Sequence, residues 1–331
     1  LGENTTASTN TAVGFNSLNQ NTTGNSNTAV GANALDVATT ANNNTAIGAR
    51  SLSATTTGAQ NTAVGEDSLL ANTTGDSNVA MGRNALASNT TASSNTALGD
   101  QSLKSNTTGT SNNGLGKNAL YNNTTGNQNI AVGQQTLQAN TTGSDNVGLG
   151  HRCLEENTAS NNNVAIGSFA LQKNTTAATG NVAIGYSTML ANTTGDRNVA
   201  VGSNALEDNV THSYNTAVGY DVLREATASS NTGFGYQALK ANTTGSPNTA
   251  VGASALLSNT TGNLNTAVGK GALQSATTAA TNTAIGHSAL GSVVTGESNT
   301  AVGSSSLVNN TASNNTAVGR DALNACTSGT Q

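Results

Sequence analysis

Tryptophan is absent from these 331 residues, and phenylalanine and tyrosine together number only eight. So few rings cannot fill one large core, although the length alone would suggest two or three globular domains. Charge is almost as scarce, at 11 basic and 16 acidic side chains, or 8% of the chain against roughly 25% in an average soluble protein. The basic residues are scattered and form no stripe that could neutralise a phosphate backbone, so no nucleic-acid partner is expected. Two cysteines are too few for a disulfide framework. No apolar run reaches the ~20 residues of a membrane helix, and the first residues do not read as a signal peptide. No membrane contact is therefore expected within this segment. A single proline, Pro247, argues against disorder, because disordered polar chains are usually rich in Pro and charge.

What is present is small, polar and ordered: 54 Thr, 51 Asn and 37 Gly. "NTAVGFNSLNQNTTGNS" runs from Asn10 to Ser26, and "NTAVGANALDVATTANN" starts again at Asn27. Nineteen copies carry their "NTAVG" glycine at Gly14, Gly31, Gly48, Gly65 and onward to Gly319, spaced by seventeen residues except for one eighteen and two sixteens. Four residues before each of these glycines stands Asn: Asn10, Asn27, Asn44, Asn61, Asn78, Asn95 and so on to Asn315. The residue just before Gly is always apolar, as in Val13, Val30 and Ile47, and Leu18, Leu35, Leu52 and their equivalents lie four after it. The residue two before Gly is only ever Ala or Gly, as in Ala12, Ala29, Ala46, Gly114, Gly148 and Gly233. Leu1 already matches the Leu position, and Gln331 falls one residue short of the next Asn. Residues 1–331 are therefore expected to be one continuous array cut from a longer one.

A fixed period in this range marks stacked supersecondary units. Helical repeats are longer, and Asn-Thr-Thr-Gly makes a poor helix interior. The pattern predicts an all-β parallel β-solenoid of about nineteen 17-residue coils. Each coil would hold a short strand over "NTAV", a turn from Gly, a second short strand around "AL", and a turn at "NTTG". Coils would rise ~4.8 Å each. The Asn series is expected to form an axial amide ladder, and the Gly series to supply positive φ or close backbone approach. Val13, Val30 and Ile47 with Leu18, Leu35 and Leu52 are expected to form a thin core. The eighteen-residue copy before Gly185 should take its extra residue in a turn, since a slip within a strand would exchange its faces.

Alternate strand residues face opposite sides, so the Ala/Gly series points away from the Val series. Its small size implies a closely approaching neighbour. A sister chain around a three-fold axis would supply one, which makes Ala12, Ala29, Ala46, Gly114, Gly148 and Gly233 expected interchain contacts. In the alternative, Ala lines a very narrow coil and Val packs outside against another chain. Both readings imply self-association, with a homotrimer expected.

"NTAVGANAL", "NVAIGSFAL" and "NTAIGHSAL" resemble the head repeats of trimeric autotransporter adhesins, which carry a "SVAIG"-type strand; similar arrays occur in repetitive phage tail-fibre-like proteins. The resemblance spans the whole chain. It implies a left-handed parallel β-roll assembled as an extracellular trimeric filament, on a cell surface or a virion. This repeat is longer than the usual adhesin-head repeat by its "NTTG" loop, and the chain contains no adhesin neck, stalk or anchor.

Candidate chemistry sits at variable turn positions. His151 and His287 follow repeat glycines eight coils apart, about 40 Å, too far to share a metal within one chain. His212 reads as loop beside Tyr214. Cys153 fills a small-residue core slot and lies ten coils from Cys326, beyond disulfide reach. Glu66–Asp67, Glu155–Glu156 and Glu207–Asp208 read as solvated turn carboxylates rather than a glycosidase pair. Eleven "NTT" sequons, from Asn4 to Asn259, would be glycosylation acceptors in a eukaryotic secretory route and turn chemistry otherwise. No catalytic residue, cofactor or metal is expected. The functional expectation is a structural or adhesive fibre segment, a rigid shaft or head used for attachment to an undefined surface ligand. The alternative is an ice-binding solenoid, weakened because the paired Thr22–Thr23 would face opposite sides; a glycan-cleaving enzyme ranks behind both.

Overall fold

The computed structural model describes residues 3–325 and Thr327. Among them lie nineteen three-residue strands and no helix. The chain falls into two compact units, Leu1–Asn163 and Val164–Gln331. The first holds β1 (Thr11–Val13) through β9 (Val147–Leu149), and the second β10 (Val164–Ile166) through β19 (Thr316–Val318). Within each unit every strand pairs in parallel with the strand of the next coil, in register by one repeat. Thr11, Ala12 and Val13 meet Thr28, Ala29 and Val30; Val164, Ala165 and Ile166 meet Val182, Ala183 and Ile184. Each unit is a parallel β-solenoid.

Each coil has one strand, not the expected two. The "AL" segment is a turn in which the chain crosses repeatedly to positive φ: 130° at Gly14, 51° at Asn16 and 49° at Leu18. The Leu N–H still leaves its own coil, donating from Leu18 to the Ala34 carbonyl at 2.9 Å and from Leu35 to the Ser51 carbonyl at 3.0 Å. The Leu/Met residue sits at φ 48–53° in every copy. Left-handed backbone costs an ordinary residue about 1–2 kcal/mol, whereas full burial of Leu contributes about 1.5–3 kcal/mol. Burial therefore wins. A branched β-carbon would add a clash at positive φ, which explains why Ile and Val never occupy this slot. At Gly31, φ is 137° and an added Cβ would lie 2.5 Å from the Gly48 carbonyl oxygen, so both backbone angle and coil spacing demand glycine.

The core departs from expectation on the strand. Leu18, Leu35 and Leu52 are fully buried, but Val13 is 58% exposed, Ile47 is 41% exposed and Val30 is half-buried. The Val series points out of the coil. The interior takes the Ala series instead: Ala29 and Ala46 are completely buried, Gly114, Gly148 and Gly233 are buried, and Ala12 is half-buried in the first coil. The reason is width. A Cβ on Gly148 would stand 3.7 Å from Leu137 Cδ1, and one on Gly233 3.6 Å from Leu223 Cδ1, so Leu from the corner already reaches the strand. The small-residue restriction thus has its cause inside the chain, and Ala12, Ala29, Ala46, Gly114, Gly148 and Gly233 are not an interchain surface.

All three glycines in this series lie against the residue preceding Leu, and at Gly114 a Cβ would meet Ser102 Oγ at 2.6 Å. At Gly148 a Cβ would meet Thr136 Cγ2 at 2.6 Å, and at Gly233 it would meet Val222 Cγ1 at 2.6 Å. Branching alone does not decide the matter, since the coil after Thr188 keeps a fully buried Ala200 on its strand. The long copy behaves as expected. Asn174 Nδ2 donates four residues ahead to the Ala178 carbonyl, where Asn72 donates three ahead to Gly75, while β10 and β11 (Val182–Ile184) remain paired residue for residue. The extra residue is held in the turn.

Gly233→Ala should destabilise the array by about 1–3 kcal/mol through overpacking, read as a lower urea midpoint. Adding Val222→Ala should recover most of that loss. Equal loss in the single and double variants would show that the two side chains do not share the space.

Candidate functional surfaces

From Asn27 onward the Asn that opens each strand is buried, and along the array both ends of its amide are engaged. Asn27 Nδ2 donates to the Ala41 carbonyl at 2.7 Å, closing its own coil, while its Oδ1 accepts the backbone N–H of Asn44 at 3.0 Å, tying on the next. Asn61 repeats this with Gly75 and Asn78, both at 2.9 Å. In the second unit Asn181 does the same with Gly195 and Asn198, also at 2.9 Å. The expected ladder is present in each unit, but its constant rung is side-chain oxygen to backbone N–H. Direct amide–amide bonds accompany some steps, as from Asn78 to Asn61 at 3.1 Å.

A second ladder runs where the sequence suggested only turns. The Asn of "NTTG" donates to its counterpart in the preceding coil: Asn89 to Asn72 at 2.9 Å, Asn106 to Asn89 at 3.0 Å, Asn123 to Asn106 at 2.8 Å. The following Thr joins in, with Thr73 Oγ1 donating to the Thr90 carbonyl at 3.0 Å. Its signal was phase: Asn and the first Thr keep their place in most copies while the residues after the loop vary. One consequence concerns the sequons. Asn21, Asn72, Asn89, Asn106 and Asn123 are fully buried, so their amides face the coil interior rather than a glycosylating enzyme.

The outward strand face is the most regular exposed feature. Each strand presents two residues to the outside, such as Thr28 with Val30, Thr45 with Ile47, or Val79 with Met81. These are Thr, Val, Ile, Leu, Met, one Phe and one Asn, and none of the chain's 27 charged residues is among them. Strand geometry sets the area: nine three-residue strands cover about 10 Å by 40 Å, on the order of 400 Å² per unit. That matches the largest apolar patch expected on a monomer.

The turn groups stand apart from this face. Arg50 pairs with Asp67 at 2.6 Å and with Glu66 at 3.5 Å, and its pKa is raised chiefly by the hydrogen bond to Asp67. Arg152 holds Glu155 at 2.8 Å, and Arg224 holds Glu207 at 2.7 Å. The adjacent carboxylates thus have cations beside them. His151 and His287 are exposed and His212 half-buried, and no three metal-ligating side chains gather among the described residues. Cys153 is buried in the small-residue slot; Cys326 lies outside the described residues. Burial pushes the Cys153 thiol up to about 12, slightly offset by a backbone hydrogen bond at Leu149.

No family model matches this chain, and no curated protein matches it.

A raised thiol pKa means that Cys153 stays protonated throughout the neutral range and becomes nucleophilic only as pH climbs towards 12. In a Cys326→Ser background, iodoacetamide at pH 8 should label Cys153 very slowly in the folded protein and readily in urea. Equal rates in both states would place the thiol on an accessible surface.

Proposed function

We propose that this chain is a structural fibre segment whose copies associate through the outward strand face and serve attachment at a cell or virion surface. One observation supports the reading above the rest: a regularly spaced, uncharged Thr-x-Val face on a chain that places charge elsewhere. Hydrophobic burial is proportional to area, so a strip of this kind gains stability when covered. Its partner follows from its period. A second copy carries the same ranks at the same coil spacing, so ridges and hollows match along the full contact, and many weak rungs sum to a firm one. The thin interior points the same way, since one coil buries little beyond a Leu and an Ala. The resemblance to adhesin heads and tail-fibre arrays adds a three-fold axis and a left-handed roll.

Ice binding is a second reading that the same face favours. The strand Thr and Val form the two-dimensional hydroxyl and methyl array that Thr22–Thr23 do not, because Thr22 Oγ1 is engaged with the Thr39 carbonyl at 3.0 Å.

Light scattering should return about three times the chain mass of 32.6 kDa. Val64→Lys, Val132→Lys, Val218→Lys and Val302→Lys together should give a monomer with unchanged far-ultraviolet dichroism, because buried like charges oppose association. A monomeric wild type, or a variant that still assembles, would contradict the fibre reading. A monomeric wild type that also suppresses ice recrystallisation would favour the second.

A further inference from the structure

Six of the eight aromatic residues lie between Phe169 and Tyr236, in a chain where rings are otherwise isolated. Three of them share one column. Tyr186, Tyr220 and Tyr236 each follow a repeat glycine, with Ser203 in the coil between the first two. Backbone bonds fix that register: Asn204 N–H to Tyr186 carbonyl at 3.0 Å, Asp221 to Ser203 at 3.1 Å, and Gln237 to Tyr220 at 2.9 Å. Tyr220 and Tyr236 stack with centroids 5.7 Å apart and planes 9° from parallel, and Phe169 meets Tyr186 edge to face at 6.0 Å. All three tyrosines remain about half exposed, at 57%, 47% and 53%. Three coil steps separate the first from the last, about 14 Å.

The next column is polar and organised around a buried carboxylate. Asp221 Oδ1 accepts from Asn204 Nδ2 at 3.1 Å, while Oδ2 accepts from Gln237 Nε2 at 3.5 Å and lies 3.6 Å from Lys240 Nζ. Arg224 bridges Glu207 at 2.7 Å and Asp221 at 4.0 Å. Arg224 also lies within the field of Asp208, so the two cations are offset by at least three carboxylates, and the amides of Asn204 and Gln237 are fixed by the same network.

We infer that Tyr186, Tyr220 and Tyr236, with Asn204 and Gln237 beside them, form a binding site for a short neutral oligosaccharide. A pyranose ring presents an apolar C–H face, which suits an exposed aromatic ring, and a rim of hydroxyls, which suits fixed amide groups able to donate and accept. Ser203 leaves one coil of lateral room between the rings of Tyr186 and Tyr220. The balance of charge selects the ligand class. A strand of nucleic acid would also stack on rings but needs a basic groove, and an acidic sugar would need an unpaired cation; this surface offers neither. The site is built by one chain and does not depend on the proposed assembly.

The test is titration calorimetry and a printed array with oligosaccharides of a β-glucan, a galactan and a mannan, each run against wild type and variants. At least one series should bind wild type. Tyr220→Ser should weaken that binding about tenfold or more, as loss of a central aromatic anchor does, while Tyr220→Phe keeps most of it. Phe15→Ser removes a ring 74% exposed at the same repeat position without an aromatic neighbour, and should leave binding unchanged. Light scattering of Tyr220→Ser should match wild type, which separates this site from the assembly face. Binding of no oligosaccharide, or binding unaltered by Tyr220→Ser and by Tyr236→Ser, overturns the inference. So does a change in assembly mass in these variants without saccharide binding, which would assign the rings to a chain–chain contact.

Discussion

The structure depends on one hydrogen-bond arrangement: the Asn side chain that closes its own coil and receives the backbone N–H of the next Asn. Both partners are buried, so neither can fall back on water. A satisfied bond of this kind contributes on the order of 1 kcal/mol, but an orphaned buried donor costs about 1–3 kcal/mol. That asymmetry selects against every replacement that cannot do both jobs. Asp lacks the donor, Ser lacks the reach, and the position is Asn in all nineteen copies. The second Asn column tolerates exchange, as Thr55 shows by hydrogen-bonding the Asn72 carbonyl at 3.0 Å, because there the backbone loop closes by other bonds as well.

Narrowness follows from this closure. With two amide columns inside, little room remains for hydrocarbon, and Leu crossing from the corner takes most of it. The strand must then face the interior with Ala or Gly and send its larger apolar residues outward. A globular protein would hide those residues in its core. Here they become the exposed face, set by the same geometric economy that makes the coil repeatable. The extra residue of the long copy is accommodated in the turn after Asn174, while the strands on either side keep their register.

Much of this was legible in the sequence. Period, parallel stacking, the Asn ladder and the turn placement of the extra residue all follow from fixed phase, because stacked identical units keep a residue only where geometry demands it. Inside and outside were left open, since the small Ala/Gly series also admitted a narrow interior with Val outside. Val13 and Ala12 alternate on one strand, and hydropathy assigned the larger residue to the core; coil width, which decides the matter, is set by the Asn bonds and by Leu reaching from a left-handed corner. The "AL" corner failed as a strand for a related reason, since positive φ at Leu leaves no mark on residue type beyond the absence of Ile and Val. The tyrosine column was hidden by distance along the chain. Tyr186, Tyr220 and Tyr236 look unrelated until coils are laid one on another.

Amide hydrogen exchange, resolved by residue, tests the Asn bond most directly. The backbone N–H groups of Asn61, Asn78 and Asn112, each held at 2.9 Å by the Oδ1 of the preceding Asn, should be among the slowest in the protein and should open together with their strands. If they exchange at the rate of an unstructured peptide, the coils are held in register by something other than this ladder.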